Sequence, residues 1–146
     1  MPVEDPIPST FAFLVNKMGQ FTNDRFAERV APLGLRPRLC RVLELLDTGS
    51  PDQLTIASAM GVSHSVVVTM LDELETLGAT RRVRQPPDRR RQHVELTGHG
   101  RALLRKTRRL ARQLDDDLLA PVDPDQAAAL RNTLRSLASE HNLPHG

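Results

Sequence analysis

A chain of 146 residues, 39 % hydrophobic and 26 % charged, is long enough to bury one core, and its net charge of +2 is small. Cys40 is the only cysteine, which excludes an intrachain disulfide. No apolar run approaches the roughly 20 residues of a membrane span, and the acidic, Pro-rich start MPVEDPIPST does not read as a signal peptide; a cytoplasmic protein is expected.

Residues 1–8 carry three prolines and little to bury, so a loose arm is expected. Ser9 or Thr10 can cap a first helix, whose Phe11, Leu14, Val15, Met18, Phe21 and Phe26 recur at three- and four-residue spacing. Pro32 and Gly34 end it. A second helix starts near Pro37 and buries Leu39, Val42, Leu43 and Leu46, before the turn residues Gly49 to Asp52. A short helix from about Thr55 to Met60 stops at Gly61. Ser63 then caps another, which runs to about Leu77 and ends at Gly78. Residues 80–85 and 92–97 read as two strands around a Pro86-Pro87-Asp88 turn, with Val83, Val94 and Leu96 facing the core and the arginines outward. Thr97 opens a long helix from Gly98 with Leu103, Leu110, Leu114, Leu118 and Leu119 on one side, stopped by Pro121. A last helix from Pro124 is expected to bury Leu130, Leu134 and Leu137, and Asp115 to Asp117 form a solvated face.

The first and the last two helices carry apolar stripes that one chain has limited means to cover. Terminal helices interlocking between two chains answer this, with burial inside one chain as the alternative. The expected architecture is mainly α with a small β wing: a winged helix-turn-helix lobe over residues 36–100, flanked by helical dimerisation regions at 9–35 and 101–146, all within one domain.

Charge is concentrated where the wing should be. Between Arg81 and Arg112 lie eleven arginines and one lysine against only Asp88 and Glu95. Arg89, Arg90 and Arg91 at a hairpin tip can reach along a nucleic-acid groove, where the negative potential is held. Upstream, TIASAMGVSHSVVVTM (residues 55–70) places small Ala57 at a close helix approach and Gly61 at a turn that needs a positive φ. Ile56, Met60, Val62, Val67 and Met70 face inward. Ser63, His64, Ser65, Val66 and Thr69 are left on the outer side, which in a docked helix-turn-helix enters the major groove.

Here the chain resembles the MarR family of bacterial regulators. Asp88, Arg90, Val94, Leu96, Thr97 and Gly100 match each fixed place of its D-x-R-x-x-x-V-x-L-T-x-x-G wing pattern, and residues 54–83 follow its helix-turn-helix. The resemblance extends over about the whole chain. It implies a homodimer whose paired recognition helices enter successive major grooves of a roughly palindromic operator, with Arg90 in the flanking minor groove. Asp88 would pair with a nearby arginine to shape the wing. A small, often phenolic or otherwise anionic effector would bind between the DNA-binding lobe and the dimer helices and lower DNA affinity, with Phe11, Asn16, Arg25, Arg36 and Arg38 lining or closing its pocket. A ligand-released repressor is the expected function.

The chain departs from the pattern at Val66, Val68 and Thr69, where family members often carry Arg or Thr. No arginine lies between Ser63 and Leu77, so bidentate contacts to guanine from this helix are unavailable. Wing and phosphate contacts should then supply an unusually large share of affinity, and Arg90→Ala should weaken binding more than Ser65→Ala. A valine-rich recognition helix also admits a different reading: a winged module for non-specific DNA binding or protein–protein interaction without ligand control. Arg81, Arg82 and Arg84 contact DNA or pair locally, one of them with Asp88. Cys40 reads as a buried, inert thiol rather than a redox sensor. No triad, phosphate-binding glycine loop or carboxylate pair points to an enzyme. No cofactor or metal is expected, because Pro144 breaks the helix that would align His141 with His145.

Overall fold

The computed structural model describes residues 6–84, 86–87 and 89–144. Six helices and one two-stranded antiparallel sheet follow in the order α1 (Phe11–Val30), α2 (Pro37–Leu45), α3 (Gln53–Met60), α4 (His64–Thr76), β1 (Thr80–Arg84), β2 (Gln92–Leu96), α5 (Gly98–Leu119) and α6 (Pro124–Glu140). This is mainly α with a small β wing. Among the described residues no single helix is long and apolar enough to cross a membrane. Two compact units are distinguished, one up to Ala111 and one from Arg112, with the division inside α5.

Local chemistry sets the element ends. Thr10 caps α1 by accepting a hydrogen bond from Phe13 N, and a single 3-10 turn at Ala31–Leu33 leads to Gly34 at φ 75°. Asp52 caps α3 and Ser63 caps α4. The tight α3–α4 turn is made by Gly61 at φ 65°, a left-handed backbone that glycine adopts without steric cost. The third helix thus begins two residues earlier than its apolar pattern implies, because Asp52 acts as a cap rather than as the end of a turn.

One face of α2, α3, α4 and the first part of α5 enters a common core, to which α1 adds Val30 at its end. Leu39, Val42, Leu43 and Leu46 come from α2 and its end, Ile56 from α3, and Val67, Met70, Leu71 and Leu74 from α4; Val94 and Leu96 come from β2, and Leu103 and Leu104 from α5. Fully burying each such aliphatic side chain contributes roughly 1.5–3 kcal/mol. Ion pairs tie the elements at the rim. Arg36 grips Glu73 with both terminal nitrogens, one at 2.9 Å. Arg108 on α5 reaches Glu44 at 2.8 and 2.6 Å and Asp47 at 2.8 Å, and these carboxylates raise its already high pKa further.

One expectation of the sequence is corrected. The register pairs Thr80 with Leu96 and Arg82 with Val94, so Thr80 and Arg82 share the inward face while Val83 pairs with half-buried His93 on the other. Side chains alternate along a strand, and counting from buried Thr80 puts Arg82, not Val83, inside. The last helix forms as expected from Pro124, but Leu130, Leu134 and Leu137 are exposed in the single chain. Within this second unit, Arg131 pairs with Asp115 at 3.2 Å.

Candidate nucleic-acid interface

The core fixes which side of α4 faces out. With Val67, Met70, Leu71 and Leu74 buried, the positions Ser63, His64, Ser65, Val66 and Thr69 are all exposed at the helix's N-terminal end. Ser63 Oγ accepts from Val66 N at 3.4 Å and lies 3.1 Å from Ser65 Oγ, while Thr69 Oγ1 donates to the Ser65 carbonyl at 3.1 Å. The surface is therefore one of hydroxyls, an imidazole and a valine methyl pair, carried at the positive end of a helix dipole.

The wing is held in place beside it by three sets of bonds. Val94 N donates to the Pro51 carbonyl at 2.9 Å, and Asp52 and His93 form a bridge, so the segment leading into α3 extends the sheet on the far side of β2. His93 Nδ1 lies 2.8 Å from the Ser50 carbonyl. On β1, Arg82 points inward and donates to Gln53 Oε1 (3.0 Å), Asp72 Oδ1 (2.8 Å), the Val68 carbonyl (3.3 Å) and Glu75 Oε2. Asp72, Glu75 and Val68 belong to α4, so one guanidinium fastens the wing strand to α4. At the base, a Cβ on Gly100 would lie 1.9 Å from the Ala79 carbonyl oxygen, so only glycine lets the first turn of α5 approach there.

Arg89, Arg90 and Arg91 are exposed at the wing tip, as is Arg84 at the end of β1. Arg91 also reaches Asp52 Oδ2 at 3.3 Å. Arg82 and Arg81 have local partners too: Arg82 as above, and Arg81, which pairs across the sheet with Glu95. The expected role of Asp88 in shaping the wing lies outside the described residues, as do the end of the first expected strand at Gln85 and His145. Sequence reasoning missed Asp52, whose Oδ1 accepts from Thr55 N at 2.8 Å. That bond, helped by the Thr55 hydroxyl and less by Arg91 and His93, holds its carboxyl below the usual range. The D-x-x-T spacing carried the signal.

Two grooves flank the outer face of α4. One, of about 420 Å³, is lined by Asp52, Gln53, Leu54, His64, Arg84, Arg90, Arg91 and Gln92 and joins the wing to the start of α4. The other, of about 240 Å³, lies between α2 and α4 and is lined by Arg36, Arg38, Ser65, Val66, Thr69 and Met70. Of the five residues expected around an effector, Arg36 and Arg38 fall in the second groove. Phe11, Asn16 and Arg25 lie along α1 and line neither; Arg25 pairs with Glu28 and stacks over Phe21. Cys40 is buried, and desolvation pushes its thiol up to about 11, helped by Glu44 and opposed by its backbone hydrogen bond.

No family model matches the chain. Among solved structures it is similar to a transcriptional regulator (MarR family) from Rhodococcus sp. RHA1, with 26 % identity and a TM-score of 0.79 over 92 % of this chain and 96 % of that one. The transcriptional repressor CouR bound to a 23-mer DNA duplex is similar at 30 % identity and a TM-score of 0.78, over 92 % of this chain and 99 % of that one. CouR from Rhodococcus jostii RHA1 bound to p-coumaroyl-CoA gives 26 % identity and a TM-score of 0.75, over 92 % and 96 %.

Proposed function

Because this chain belongs to the MarR family of winged-helix, DNA-binding transcriptional regulators, we propose that it is a homodimeric repressor, bound to a roughly palindromic operator and released by a small molecule. The observation that carries this reading is the surface around α4. Ser63, His64, Ser65, Val66 and Thr69 stand exposed on a helix of major-groove dimensions, with Arg89, Arg90 and Arg91 beside them at the wing tip. The similar repressor CouR, bound to a 23-mer DNA duplex, supports duplex DNA as the partner. With no arginine on the recognition helix itself, the wing and phosphate contacts carry a large part of the affinity, so Arg90→Ala costs more than Ser65→Ala.

Dimerisation is supported by exposed apolar stripes on two helices. Phe11, Leu14, Val15, Met18 and Phe21 lie open on α1, and Leu130, Leu134 and Leu137 on α6. A monomeric soluble protein rarely leaves such runs uncovered. A second copy is the proposed cover, and such a dimer carries two copies of α4. The effector is taken to be anionic or phenolic, which the neighbour bound to p-coumaroyl-CoA supports. Its contacts are assigned to Phe11, Asn16 and Arg25 of α1 and to Arg36 and Arg38 at the start of α2. Release follows by linkage: an effector that favours the DNA-incompetent dimer must itself bind less tightly when operator is present, by the same factor.

Sedimentation at micromolar concentration, followed by footprinting on the DNA upstream of the protein's own gene, tests the reading. A dimer with a two-fold symmetric footprint supports it. A strictly monomeric chain, or protection without symmetry, contradicts it.

A further inference from the structure

The outer face of α4 is bordered by arginines on both sides, not only at the wing. One border carries Arg84, Arg90 and Arg91 with His64. On the other, the first turn of α2 places Arg36 and Arg38 in a groove shared with Ser65, Val66 and Thr69. Of the three arginines in this part of α2, two are committed to the fold. Arg36 is held by Glu73, and Arg41 donates to the Ala59 carbonyl at 3.3 Å. Arg38 is exposed and makes no ion pair or hydrogen bond among the described residues. Leu39, Val42 and Leu43, buried in the core, hold α2 so that Arg38 stands on the flank facing the recognition surface.

We propose that Arg38 is a phosphate-contacting residue of the DNA interface, gripping the strand that borders the recognition helix on the side away from the wing. The inference rests on the DNA-binding reading above and extends it. A helix about 10–12 Å across fills a major groove about 12 Å wide, so a sugar–phosphate backbone runs along each of its sides. Wing arginines address one of them. A cation beside Ser65 and Thr69 on the opposite border meets the other, and a planar guanidinium suits a phosphate's paired oxygens. This supplies from a neighbouring helix the positive charge that the recognition helix itself lacks.

The test is a salt titration, from about 50 to 200 mM KCl, of full-length protein on a fluorescent duplex selected by the wild type from random sequence and on an unselected duplex of equal length. Arg38→Gln is expected to bind both duplexes roughly 3- to 10-fold more weakly near 150 mM salt, with the slope of log affinity against log salt reduced by about 0.9 for each engaged copy. Arg38→Lys restores the slope. Arg109→Gln, which removes an exposed cation of α5 outside both grooves, keeps the wild-type slope and reports the effect of net charge alone. An Arg38→Gln slope equal to wild type, or a loss matched by Arg109→Gln, overturns the assignment. If the wild type binds neither duplex, the DNA-binding reading fails and the assignment with it. Thermal melting of each variant confirms that the comparison is between folded proteins.

Discussion

Arg82 on β1 and Asp72 on α4 are joined at 2.8 Å, with the Arg82 side chain turned inward and only 17 % exposed. This contact makes the wing and the recognition helix one piece, since the same guanidinium also reaches Glu75 and the Val68 carbonyl. Replacing Arg82 by Gln leaves two carboxylates facing each other with no cation between them. A stability loss of about 1–2 kcal/mol is expected from urea unfolding. DNA affinity should fall as well, because the wing loses its fixed attitude. An unchanged unfolding midpoint would show that the cluster contributes nothing.

Asp52 joins α3, the wing and Arg91. Replacing it by Ala should cost about 1 kcal/mol, the usual worth of a helix N-cap. Its folded-state pKa lies below the ordinary value, so its contribution is present above about pH 4 and is lost as pH falls through the folded value. Denaturant unfolding between pH 6 and pH 3 should therefore show the wild type losing more stability on acidification than Asp52→Ala. Parallel curves would contradict this.

Cys40 should resist a thiol reagent at pH 8 in the native protein and react at once in denaturant. A thiol at about 11 is roughly 0.1 % thiolate at that pH, and burial also blocks access. Because the pKa is raised on folding, its share of stability is intact below about pH 8.5 and declines as pH rises toward the folded value. Fast native labelling would mark Cys40 as a reactive site.

Gly100→Ala should destabilise by about 2 kcal/mol or more, since the added carbon meets backbone at Ala79 rather than a movable side chain. Gly98→Ala, where nothing lies within 4 Å, is the control and should be nearly neutral. Equal effects of the two would show that close approach is not the reason for glycine at 100.

Most of the fold was legible because local signals agreed with the core. Thr10, Ser63, Gly61 and Gly78 mark ends that the backbone adopts, and the exposed positions of α4 follow from its buried stripe. Three things were not legible, for separate reasons. An arginine in a strand reads as outward, and only the register, with two acidic residues one turn apart on α4, explains why Arg82 turns in. The leucine stripe of α6 requires a cover, but periodicity is silent on which chain supplies it. Arg38 lies fifteen residues before the start of α3, and only the packing of α2 brings it beside Ser65.

The most direct test is competition. A labelled duplex selected by the protein is displaced by an unlabelled copy of itself or by random duplex of the same length, at about 150 mM salt. A regulator that reads sequence through α4 and its wing should prefer the selected duplex by about 10³-fold or more. Equal displacement by the two would mean that α4 reads no sequence, and would contradict the account.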